Sequence, residues 1–188
     1  MKSIYFALAV SGVVLGTLAP TARADQWDKQ TELTFNEPVE IPGRVLPAGT
    51  YEFKLLESPV SDRHLVRIYN QDMTHLVTVV LAITDNRLQA TGKTVVQFAE
   101  RPAGSPQAIK AWFYPGAQAG LEFVYPHDRA AALAKENREQ VYSTSSDLSS
   151  WQTKDMKAGD ADSTNMKRSP VKSVGPDGTE NELNSNSR

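Results

Sequence analysis

The chain has 188 residues, with 22 acidic and 20 basic side chains, 40% hydrophobic residues, 8% aromatic residues and no cysteine. The near-neutral charge excludes a strongly basic nucleic-acid binder. The missing cysteine excludes a disulfide scaffold, a thiol nucleophile, a Cys-ligated metal centre and an anchor on an acylated cysteine.

Residues 1–24 read as a secretory signal peptide. Lys2 supplies positive charge, Ile4 to Leu18 form an apolar run, and Ala22-Arg23-Ala24 places small residues at the cleavage-sensing positions. As a helix that run would span roughly 22 Å, short of the roughly 30 Å hydrocarbon core of a bilayer. The mature chain, starting at Asp25, is therefore expected to be secreted or periplasmic, with no membrane span. Without disulfides in an oxidising compartment, its stability must come from a packed core.

From Thr31 to about Tyr125 the apolar residues repeat mostly with a period of two, broken by Pro, Gly, Asn and Asp every eight to twelve residues. Leu33 and Phe35 share one face of a first strand, and Val39 and Ile41 follow. Pro42-Gly43 and Pro47-Ala48-Gly49 mark turns around Arg44-Val45-Leu46. Tyr51, Phe53 and Leu55 alternate with Glu52 and Lys54. Leu65 to Asn70 and Leu76 to Ile83 form a hairpin whose connection, Asn70-Gln71-Asp72, accepts turn geometry through local side-chain bonds. The second arm is apolar on both faces except at Thr78, so it belongs where both faces are covered. Thr94 to Phe98 gives another strand. Ile109, Ala111 and Phe113 alternate with Lys110, Trp112 and Tyr114, and Leu121, Phe123 and Tyr125 close the domain.

The fold class expected is all-β, a single antiparallel β-sandwich of immunoglobulin-like or transthyretin-like size over residues 25–126, with an open barrel as the other pattern-compatible arrangement. Pro126 ends the last strand. Residues 127–142 read as a short helix, because Ala130 to Ala134 are strong helix formers, with Asp128 near its start and Lys135 and Arg138 near its end. Its apolar stripe of Leu133, Ala134 and Val141 is narrow, so it packs weakly or frays. Residues 143–188 hold 10 Ser, 4 Thr and only seven large apolar residues, too few to offset the entropy of ordering them, and are expected to be disordered.

Three segments carry a resemblance. Phe35-Asn36-Glu37-Pro38-Val39-Glu40-Ile41-Pro42-Gly43-Arg44-Val45-Leu46-Pro47-Ala48-Gly49-Thr50-Tyr51, Arg101-Pro102-Ala103-Gly104-Ser105-Pro106 and Ala111-Trp112-Phe113-Tyr114-Pro115-Gly116 resemble an uncharacterised family of secreted bacterial proteins. The resemblance covers about Asp25 to Ala134. It implies an exported β domain with a variable end, and brings no activity, ligand or catalytic residue with it. Leu46-Pro47-Ala48-Gly49-Thr50 is not a sortase signal, since its residue order differs and it lies inside the chain.

Catalytic chemistry has little to build on. Ser61, Asp62 and His64 coincide in one loop, but neighbours on an extended chain point in different directions, and the Gly-x-Ser-x-Gly elbow is absent. Glu37 with Glu40, and Glu52 with Glu57, read as solvated surface charge rather than facing carboxylates. His64 and His75 stand roughly 20 Å apart along the hairpin, too far to share an ion. His127 and Met73 add no ligand set. No phosphate-cradling glycine loop occurs, so no cofactor is expected.

The remaining candidate is the strand from Ile109 to Tyr114. If Ile109, Ala111 and Phe113 face the core, Trp112 and Tyr114 project together, roughly 7 Å apart beside Lys110. They would then form an aromatic ligand-binding platform, unless the helix near Leu133 or the segment around Trp151 covers them. Trp27 reads as a packing residue at the domain edge. The function expected is a non-catalytic exported module that recognises an envelope or extracellular partner, the alternative being a carbohydrate-binding module using Trp112, Tyr114 and Lys110. Partners would be an envelope protein or a polysaccharide. The open edges of Thr- and Val-rich strands offer a further route to pairing with another chain.

Overall fold

The turn signals divide the chain where the strands end. A computed structural model describes residues 29–56, 63–145, 156–157 and 159–183. Its elements are β1 (Gln30–Phe35), β2 (Val39–Ile41), β3 (Arg44–Leu46), β4 (Gly49–Leu56), β5 (Arg63–Asn70), β6 (Leu76–Asn86), β7 (Val95–Ala99), β8 (Gln107–Phe113), β9 (Ala119–Phe123), β10 (Tyr125–Pro126), α1 (His127–Asn137), β11 (Val141–Thr144), α2 (Ala161–Arg168), β12 (Val171–Val174) and β13 (Glu180–Glu182). The proposed signal segment, Trp27, Ser61, Asp62 and Trp151 lie outside the described residues.

Local chemistry sets the connections. Pro42-Gly43 joins β2 to β3 with Ile41 paired to Arg44, and Gly43 takes the left-handed φ of 83° that the second position of such a turn favours. Between β5 and β6, the Asn70 carboxamide oxygen accepts the His75 N–H at 2.8 Å, and Asp72 accepts both the backbone N–H and the hydroxyl of Thr74. These side chains replace the backbone partners that the turn gives up.

The strands are β-rich as expected, but they make two mixed sheets rather than one antiparallel sandwich. A nine-stranded sheet runs β1-β4-β5-β6-β9-β8-β2-β3, with β7 also on β8, and a four-stranded sheet runs β10-β11-β12-β13. Two pairings, β2 with β8 and β10 with β11, are parallel. Parallel neighbours need long connections: β2 and β8 are far apart in sequence, and β10 reaches β11 through α1, neither of which a hairpin-by-hairpin reading sees.

The large sheet curls. Phe35 on β1 meets Phe98 on β7 with ring centroids 6.4 Å apart, although the two strands lie far apart along the pairing path. The concave face encloses the main core, with Phe53, Ile68, Ile109, Trp112 and Phe123 at its centre. α1 is shorter than expected, since Val141 and Tyr142 belong to β11. It does not fray either: Ala130, Leu133 and Ala134 are buried, and the first two join the main core.

The largest correction concerns residues 143–188. The described part of that segment is ordered: β11 and β12 pair, α2 precedes β12, and Met156, Met166 and Val171 cover Leu65, Val79, Leu81 and Ile83 on the convex face of β5 and β6. The Arg63 guanidinium fastens it by donating to the carbonyls of Lys167 and Ser169, at 3.1 and 2.6 Å, at the end of α2. Composition averaged over the segment hid this. Among the described residues, Met156, Met166 and Val171 share one patch and Val174 joins the main core, while β12 pairs with β11 through its backbone.

Candidate functional site

The site begins with an irregularity in β8. Opposite β7, Gln97 pairs with Ala111 and Phe98 with Ile109, so Lys110 is an extra residue with no partner in the ladder. Such a bulge resets the alternation of the strand. Ile109 and Trp112 therefore face the same core instead of opposite sides. Trp112 is 2% exposed and packs edge-on against Phe53, centroids 6.1 Å apart, while Tyr114 is half-buried against the same core. Trp112 and Tyr114 thus do not form an exposed platform, and of the three candidate residues only Lys110 reaches a groove.

Phe113, on the other side of β8, lies flat across Gly120 of β9. A Cβ at Gly120 would stand 2.3 Å from its ring, so only glycine fits there. Arg87 covers the ring from 4.8 Å. From Ala108 to Phe113 both faces of β8 are consequently closed except at Lys110.

The bulge turns Lys110 toward the end of α1. There a groove of about 660 Å³, its open mouth included, is lined by Gln97, Phe98, Glu100, Lys110, Asn137 and Glu139. The Lys110 ammonium donates to the Glu139 carboxylate at 2.6 Å and ties the α1–β11 turn to β8. Beneath it, a smaller pocket of about 300 Å³, its open mouth included, lies between Ile109, Glu122, Tyr125 and Leu133. The Asn137 side-chain oxygen is inaccessible and has no hydrogen-bond partner among the described residues.

Glu122 is the group that the sequence reading missed. Leu121 and Phe123 face the core, so Glu122 projects from the other face of β9, between Ile83 of β6 and Ala111 of β8. Alternation marks that position as solvent-facing, but the turn carrying Asn137 and Glu139 covers it. Burial pushes its carboxyl up to about 7, with the charges of Asp85 and Glu139 adding and Lys110 opposing. Lys110 is raised as well: burial pulls it down, but the bond to Glu139 and the charges of Glu122, Glu139 and Asp85 outweigh that.

Segments 35–51 and 101–106 meet nearby through buried charge. Glu40, from the first, takes Arg101, from the second, at 3.2 Å, and Arg129 of α1 through both carboxylate oxygens, while Arg101 also faces Glu136 at 3.4 Å. Tyr125 lies underneath and donates to the Ile109 carbonyl at 2.7 Å; burial raises it far above its usual value, so it stays a neutral phenol. Glu40 is nearly buried, and two guanidiniums compensate it. This network docks α1 on the sheet and so positions the groove.

The histidines are separate. His64 bonds Thr84 at 3.1 Å, and His127 bridges Asp128 and Glu180, the latter at 2.6 Å. Among the described residues no three His, Asp or Glu side chains are placed to hold a metal ion, and no helix is long and apolar enough to cross a membrane. No protein-family model, curated protein or solved structure matches the chain.

Proposed function

We propose that the protein is a non-catalytic exported interaction module that recognises an envelope or extracellular partner through the polar groove at Lys110. The observation that carries this reading is the groove's lining. Two amides, two carboxylates, an ammonium and one aromatic edge surround a space large enough for a side chain or a sugar unit. Lys110, the one amine among them, is held charged by Glu139 and so serves as a donor rather than a nucleophile. Recognition here rests on hydrogen bonds and charge, which favour specificity over raw affinity.

A photo-reactive side chain at Gln97, which is exposed in the groove, tests this in the cells that export the protein. The expected result is one discrete adduct, weakened about tenfold by Glu100→Lys, a loss of ~1.4 kcal/mol. A peptide or glycan in the adduct distinguishes an envelope protein from a polysaccharide. The same scatter of products from Gln97 and from Leu88, a control position 97% exposed and away from the groove, would overturn the reading.

A further inference from the structure

We propose that Glu122 is a proton-operated latch under the groove: protonated, it leaves Lys110 to Glu139 and keeps the α1–β11 turn closed; ionised, it competes for Lys110 and lets the turn open. The geometry supplies each part. Glu122 sits beneath the turn, in the cavity that Lys110, Asn137, Glu139 and Gln140 roof over. Among the described residues it has no hydrogen bond or ion pair of its own, and the Lys110 charge is what favours its ionised form. The Lys110–Glu139 bond above it, at 2.6 Å, joins β8 to the turn.

The charges facing Glu122 come from three directions. Lys110 reaches it from β8, Asp85 from β6 and Glu139 from the turn, while Glu100 borders the same groove as Lys110 on the β7 side. One ammonium therefore serves two carboxylates, with a third nearby. While Glu122 is neutral, Lys110 and Glu139 form a simple pair. Once it ionises, the added negative charge must be met in a space with room for about one water molecule. Drawing Lys110 inward meets it, at the expense of the bond that closes the turn. Glu122 titrates near neutral pH, so the exchange falls within the range an exported protein encounters.

As a means of regulating the groove, the latch rests on the groove being the binding surface; the latch itself is read on the protein alone. Amide hydrogen exchange of residues 138–141 in the full chain, corrected for intrinsic rates, is compared at pH 5.5 and 8.5. Protection is expected to fall about tenfold at the higher pH in the unaltered protein and to stay constant in Glu122→Gln, with protection in β4 and β5 unchanged in both. An identical pH profile in the two proteins would overturn the latch. If the variant does not fold, carbon-13 titration of the Glu122 carboxyl together with the Lys110 side-chain nitrogen in the unaltered protein decides instead. One shared midpoint near neutrality supports the latch, and a midpoint in the ordinary carboxylate range overturns it. Either result leaves the cross-linking at Gln97 free to succeed or fail.

Discussion

At Glu122 a single buried carboxyl links stability to pH. Its folded value of about 7 lies above the unfolded 4.5, so the native state holds a proton that the unfolded chain gives up. The favourable contribution is complete below pH 4.5 and is lost as the pH rises through 7, on the order of 3 kcal/mol in all. Glu122→Gln removes this titration. Urea unfolding at pH 8 should show the variant more stable by about 1–3 kcal/mol, the gap narrowing toward pH 4. A constant difference between the two proteins across that range would show that the Glu122 carboxyl titrates alike in the folded and unfolded chain. The same residue shows where alternation stops being informative. Period two assigns the position between Leu121 and Phe123 to the outer face, correctly, but whether an outer face is wet depends on a turn that arrives from residues 137–140.

At the level of elements, α1 ends on Arg138, which takes the left-handed conformation, φ 56° and ψ 31°. That conformation costs a residue with a Cβ about 1–2 kcal/mol and costs glycine almost nothing. Arg138 is exposed, so Arg138→Gly removes strain with little lost packing. The expected gain is about 0.5–1 kcal/mol by thermal or urea unfolding, the greater freedom of glycine in the unfolded chain taking back part of it. A loss of stability would mean that the Arg138 side chain holds the turn down. The turn-bounded strands were legible in the sequence because Pro42-Gly43, Pro47-Ala48-Gly49 and Asn70 to Thr74 carry their own backbone instructions. The orientation of Trp112 was not. A bulge at Lys110 shifts parity by one residue, and nothing in the local pattern of apolar and polar positions marks an extra residue whose cause is the register with β7.

Across the whole molecule, the C-terminal segment was misread because its average composition resembles that of a disordered chain, whereas the demand for it was written in β6. Leu76 to Ile83 is apolar on both faces, one face fills the concave core, and the other needs a cover that no strand before Tyr125 supplies. Met156, Met166 and Val171 supply it, each 3% exposed or less. Burying a side chain of that size is worth about 1.5–3 kcal/mol before the entropy of ordering the segment is subtracted. A chain ending at Ser145 loses these contacts, the β12 partner of β11 and the carbonyls that hold Arg63. It should unfold at lower urea concentration by several kcal/mol, bind a hydrophobic dye, and associate through the uncovered patch around Leu65, Val79 and Leu81. Replacing Val79 and Leu81 with Thr in the shortened chain should suppress the association without restoring the stability, because it removes the sticky surface and not the missing cover. If the shortened chain instead matched the full one in both urea midpoint and dye binding, the convex face would not depend on the C-terminal segment, and the apolar character of β6 would need another partner.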